Sequence, residues 1–281
     1  MKYEIVRLQG GVTTARQIPH PNNPLVLVSV YPIRYLEAGP WGAANSMGGY
    51  IASERNLDQS GDCWVGSNAV VFDKARIAGN AHVQGIGTED ENLVLIFDSA
   101  VIAGNAEVKC RAWVFGNARV LEKSVVSGSA RIFGDARIYG RASIAESVSV
   151  SGNARVSGEA SLWGSVLLLD DARVYGTARL SGTVQMENNS RIFGNAKIHG
   201  TGIHAPLLQI KDNARVSGCA VVKDEEKEVS LTGNATIYGT LEITGGDVTG
   251  RSLVTGCPDE EDVADCPEAP AGQPTADCPP A

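Results

Sequence analysis

Aromatic side chains are scarce, at 6% of 281 residues, and there are only four histidines and three methionines. A core built from large rings is excluded, and chemistry needing several imidazoles has few to draw on. Long apolar runs are also missing. The longest near the start, Leu25 to Val30, is far too short to cross a bilayer. Residues 1–11 carry Lys2, Glu4 and Arg7 where a secretory leader would be apolar, so neither a leader nor a membrane span is expected. Cys63, Cys110, Cys219, Cys257, Cys266 and Cys278 form no CxxC pair. That excludes a zinc ribbon or a thioredoxin-type site and reads as reduced thiols in a cytoplasmic protein. Walker, dinucleotide-binding and Ser/His/Asp motifs are absent. The formal net charge of −8 speaks at first against a nucleic-acid partner, which needs clustered Lys and Arg.

What is present is repetition. Hydrophobic residues make up 43% of the chain, enough for a core, and its 32 glycines exceed the usual ~7%. From Ser99 to Asp224 the chain divides into 21 consecutive six-residue repeats, such as Asn117-Ala-Arg-Val-Phe-Gly and Asp135-Ala-Arg-Ile-Tyr-Gly. Position 2 is Ala in 14 of them, position 4 is aliphatic or Met in 20, and position 6 is Gly in 13. Positions 2 and 4 against 3 and 5 alternate as strand faces do. The Gly-Asn, Gly-Asp and Gly-Ser junctions mark corners. One short strand cannot bury its inner face alone, so the repeats must coil and stack.

A longer period sets the coil. Asp170, Asn188, Pro206 and Asp224 are spaced by 18, as are Val148, Val166 and Val184. Eighteen residues make three repeats, which predicts an all-β, triangular, single-stranded β-helix of about ten coils, with strands ~4.8 Å apart. The period leaves the handedness open.

The chain resembles the left-handed β-helix, hexapeptide-repeat superfamily, and within it the YdcK-like family of putative transferases. The resemblance rests on the repeats and on Gly48-Gly49-Tyr50-Ile51, Asn56-Leu57-Asp58-Gln59 and Gly61-Asp62-Cys63-Trp64, and it covers most of residues 45–256. It implies a left-handed coil, an N-terminal cap, a homotrimer, and acyl-CoA as the cofactor if the protein is a transferase.

Three segments follow. Residues 1–61 do not repeat and read as a cap over a strand edge that would otherwise invite aggregation. Residues 62–256 are the β-helix, interrupted by a loop insertion at 86–98 and a three-residue insertion at 225–227. Residues 257–281 hold six prolines and seven acidic residues without Lys or Arg, and are expected to be disordered.

The 18-residue period sorts outward side chains onto faces. One face stacks Arg119, Arg137, Arg155, Arg173 and Arg191 beside Leu121, Tyr139, Ser157, Tyr175 and Phe193, a candidate stripe for an anionic ligand. A second carries Trp113, Phe115, Phe133, Leu167, Leu169 and Ile203, an apolar column suited to an oligomer contact. The third shows Arg179, Lys197, Arg215, Trp163 and His199. His82 and His199 are candidate general bases for acyl transfer. His204 breaks the inward position-4 column. The spacing of His199 and His204 resembles that of γ-class carbonic anhydrases, but a third ligand is wanting, so no metal is expected. The leading function is a self-associating binding or structural scaffold without cofactor. The alternative is a CoA-dependent acyltransferase with an intersubunit site. Seven of the negative charges lie in residues 257–281, leaving about −1 for the rest, so the acidic balance sets no limit on what the β-helix binds.

Overall fold

A computed structural model describes residues 2–10, 12–40, 42–85, 93–201, 208–224, 228–249 and the backbone of 253–255. The chain is all-β, without α-helix among the described residues, and divides into two compact units, 1–135 and 136–281. Both are built from parallel β-solenoid, about ten turns in all. Each turn contributes one short strand to each of three ladders.

The interior follows the repeat. Ala100, Ile102, Ala106, Val108, Ala112 and Val114 in the first unit have no exposed surface. In the second, Ala154, Val156, Ala160, Leu162, Ala172 and Val174 are equally buried. Each aliphatic removed from water contributes about 1.5–3 kcal/mol, and Ala at position 2 leaves room for it. Corners adopt left-handed backbone. Gly158 has φ +69°, and a Cβ there would lie 2.6 Å from the Gly176 carbonyl oxygen on the next coil. Where Gly is replaced at a left-handed corner, Asp is frequent and useful. Asp98, Asp170 and Asp212 carboxylates accept the backbone N–H of Gly116, Asn188 and Gly233 on the following coil.

The first unit adds the cap. Strands Arg16–His20 and Asn23–Tyr35 pair antiparallel, and Met47–Ile51 joins the latter to the solenoid by pairing parallel with Ala69–Val71. Tyr3 is fully buried, its hydroxyl donating to Leu57 O at 2.6 Å. Lys2 Nζ donates to Cys63 O at 2.8 Å, and Tyr35 stacks on Trp64 at 3.8 Å. Asn56, also buried, donates to Ala75 O at 2.9 Å. A Cβ at Gly49 would collide with the Gly66 and Ala69 carbonyl oxygens. The three motifs behind the family resemblance thus meet where the cap joins the first coil, and their contacts there are structural.

Three details differ from the expectation. Val94–Ile96, inside the stretch read as a loop, is a strand pairing with Ala69–Val71 and, through Leu95 and Ile96, with Trp113–Val114. His82 pairs with Glu107, a step of 25 residues, so the coil carries seven extra residues rather than thirteen. In the second unit Val184 pairs with Leu208 and Arg191 with Arg215, steps of 24. One whole repeat length is extra in that coil, and Arg215 therefore continues the Arg191 ladder rather than the third face.

The apolar outward column is also partly accounted for within the chain. Phe72 and Phe97 are fully buried in a cluster with Val70, Leu95 and, from the cap hairpin, Ile18 and Val30. Phe72, Phe97, Phe115 and Phe133 stack face to face in sequence, 4.9–5.2 Å between centroids. Trp113 and Phe115 pack against the same cluster. The hairpin covers one end of this column. Ile203 lies outside the described residues.

Candidate functional site

The arginine stripe is a register feature. Arg137 pairs with Arg155, Arg155 with Arg173, Arg173 with Arg191 and Arg191 with Arg215, one per coil on one ladder of the second unit. Arg119 belongs to the first unit, where it pairs with Val101 and, through it, aligns with Arg76. Arg137 is exposed and the other four are half-buried, as expected when long stems lie along neighbouring side chains and keep the charge in water. Two residues after successive arginines come Tyr139, Ser157, Tyr175 and Phe193, with Tyr175 and Phe193 stacked at 5.0 Å. The backbones of successive arginines lie one strand spacing, ~4.8 Å, apart, and like charges at about that separation repel by about 1 kcal/mol per neighbouring pair in water-like dielectric. A guanidinium is a planar fork of donors suited to carboxylate, sulfate or phosphate oxygens, and those of Arg173, Arg191 and Arg215 already engage other groups of the chain. The arrangement can hold an extended anion whose charges recur with the coil.

The two candidate bases belong to different units. His82 is half-buried in the first unit, in register with Trp64 and Glu107, and burial pushes its pKa below the usual range. The ring is thus neutral near pH 7, as a general base must be. Glu107 forms an ion pair with Lys109. His199, in the second unit, is exposed, and its Nδ1 lies 2.8 Å from Ser181 Oγ. Ser181 also reaches Ile198 O at 3.3 Å and is buried, so the hydroxyl serves as a strut between adjacent strands. His204 lies outside the described residues, and with it the His199–His204 pair.

Sequence reasoning missed a third cluster. The cap hairpin places His20 Nε2 3.0 Å from Asp73 Oδ2, and Asp98 completes a group whose ligand atoms lie within 4.8 Å of one another. The His20 ring meets Phe72 and Phe97 edge-on at 5.5 and 5.6 Å. Asp73 and Asp98 occupy left-handed corners, both at φ +55°, and flank an open cavity of about 420 Å³ shared with Lys74 and Ser99. The available signal was Asp at two corners followed by Gly116 and Gly134 in the next coils. The histidine that joins them is 53 residues from Asp73.

No protein-family model matches the chain, and no curated protein sequence matches it. The fold and these side-chain arrangements therefore carry the functional reading.

Proposed function

We propose that the protein is a capped β-solenoid scaffold that binds a linear polyanion along the Arg137–Arg155–Arg173–Arg191–Arg215 ladder. The in-register stacking of five arginines on consecutive coils supports this reading. A polymer with regularly spaced anionic groups would meet one guanidinium per coil along its length, with Arg173, Arg191 and Arg215 shared with the neighbours they already engage. Half-buried Tyr139 and Tyr175 leave part of each ring in reach of a sugar or base, whereas Phe193 is buried beneath the stack. Assembly as a homotrimer belongs to the same proposal, on the β-helix resemblance; exposed Leu25, Leu27 and Trp163 provide apolar surface for contacts. A YdcK-like relationship is supported by the cap-junction motifs, and a cytoplasmic setting by the free thiols of Cys63, Cys110 and Cys219. The test is a titration with heparin, polygalacturonate and single-stranded DNA at two salt concentrations. Arg155→Ala/Arg173→Ala is expected to lower affinity for the preferred polymer at least tenfold, at ~1.5–3 kcal/mol per charged hydrogen-bonding group. Unchanged affinity refutes the ladder.

A second reading is CoA-dependent acyl transfer with His82 as base, favoured by the neutral ring that burial maintains. It requires acyl-CoA binding measurable by calorimetry, with turnover lost in His82→Ala; loss in His199→Ala instead would move the base to His199. No detectable binding of acyl-CoA removes it.

A further inference from the structure

We propose that His20, Asp73 and Asp98 form a divalent transition-metal site that fastens the cap hairpin to the solenoid. The inference is independent of the arginine ladder. Among the described residues this is the one group in which three such ligand atoms lie within 4.8 Å of one another. It joins elements that only the folded cap brings together: one imidazole from the hairpin and one carboxylate from each of two adjacent coils.

The carboxylates have structural duties that leave them available. Asp73 Oδ2 accepts from His20 Nε2 at 3.0 Å and from Asp98 N at 3.4 Å. Asp98 Oδ2 accepts from Gly116 N at 3.0 Å and Asn22 Nδ2 at 3.5 Å. None of these contacts engages the second oxygen of either group. Corner aspartates elsewhere, such as Asp170 and Asp212, make the same coil-to-coil bond, so that bond explains the aspartates and not the histidine. Phe72 and Phe97 wall one side of the imidazole, and a dry wall strengthens ion–ligand attraction. The open cavity beside Asp73 and Asp98 gives access to the water that would complete a site with three protein ligands. Imidazole with two carboxylates suits zinc, cobalt or manganese rather than a thiophilic ion.

One contact tempers the affinity. Asn22 N–H points at His20 Nδ1 at 3.1 Å, so the free ring carries its proton on Nε2 and donates it to Asp73. Metal at Nε2 moves that proton to Nδ1, and Asn22 N–H gives up its acceptor. The ion thus replaces a hydrogen bond with a stronger link across the same pair, at the expense of one turn contact.

The probe is Co2+ added to the full chain, read by its visible absorption. One saturable equivalent is expected, without the near-ultraviolet charge-transfer band that thiolate ligation gives, and Zn2+ should displace it. His20→Gln, which keeps a donor toward Asp73, and Asp98→Asn are each expected to weaken binding at least tenfold, whereas His199→Gln leaves it intact. Zn2+ should raise the melting temperature of the native chain and not of His20→Gln, with both melting alike when metal-free. No saturation by millimolar Co2+, a thiolate band, or equal affinity in His20→Gln would overturn the proposal.

Discussion

The two units share an interior and differ outside. Both bury Ala and one aliphatic per strand with no exposed surface. Outside, the first unit carries a stack of phenylalanines whose leading members the cap hairpin seals, while the second carries a ladder of arginines beside tyrosines. Inward positions are dictated by packing in a narrow coil, so they repeat. Outward positions are free to specialise, and there the units part: one set of side chains holds the fold together, and the other is the set proposed above to meet a ligand.

That contrast is most strongly tested by truncating one ring in each unit. Phe97→Ala removes a fully buried ring and should cost about 3–5 kcal/mol in denaturant unfolding. Tyr175→Ala, on the half-buried outward side of the second unit, should cost well under half of that. Comparable losses would mean that the second face is as structural as the first. Next comes the shared framework. Gly158→Ala puts a Cβ 2.6 Å from a backbone oxygen in left-handed backbone, and a loss of about 2 kcal/mol is expected from the same measurement. In the cap, Tyr3→Phe leaves the buried end of the Leu57 carbonyl without its donor, for about 1–2 kcal/mol.

The smallest effects depend on pH. Asp58 is held at about 2 by the Ser60 backbone N–H, then by Arg76 at 2.7 Å. A carboxyl lowered on folding stabilises fully above its unfolded value near 3.8, and that contribution fades as pH falls toward 2. Solvent screening limits it to ~1 kcal/mol or less. Asp58→Asn should flatten the stability profile in that window. His82, lowered by burial, behaves in the same direction at higher pH. The unfolded chain takes up the proton first, so stability is complete above about 6.5 and declines on acidification. His82→Gln should remove that part of the slope; an unchanged profile would place the titration elsewhere.

How much of this could be read in the sequence depends on which constraint acts. Ala100, Ile102 and their equivalents were legible because alternation and a fixed coil leave no other inward choice. The strand Val94–Ile96 was not, because the cap covers its outward residue Leu95, so all three residues are buried and the alternation vanishes. Arg215 was misplaced because the extra residues in its coil equal one repeat. The hexapeptide frame survives the insertion while the ladder slips by one face. His20 was invisible as a partner of Asp73, since only the folded hairpin brings them together. The arginine ladder from Arg137 to Arg191 was readable because its coils carry no insertion.

The central claim is that the ladder of the second unit, rather than positive charge in general, recognises a polyanion. Affinity for the preferred polymer should therefore be compared between Arg155→Ala/Arg173→Ala and Arg179→Ala/Lys197→Ala, which removes the same charge from a neighbouring ladder. A loss of tenfold or more in the first pair, with a shallower salt dependence, and little change in the second is the expected result. Equal losses, or none in either, would contradict it.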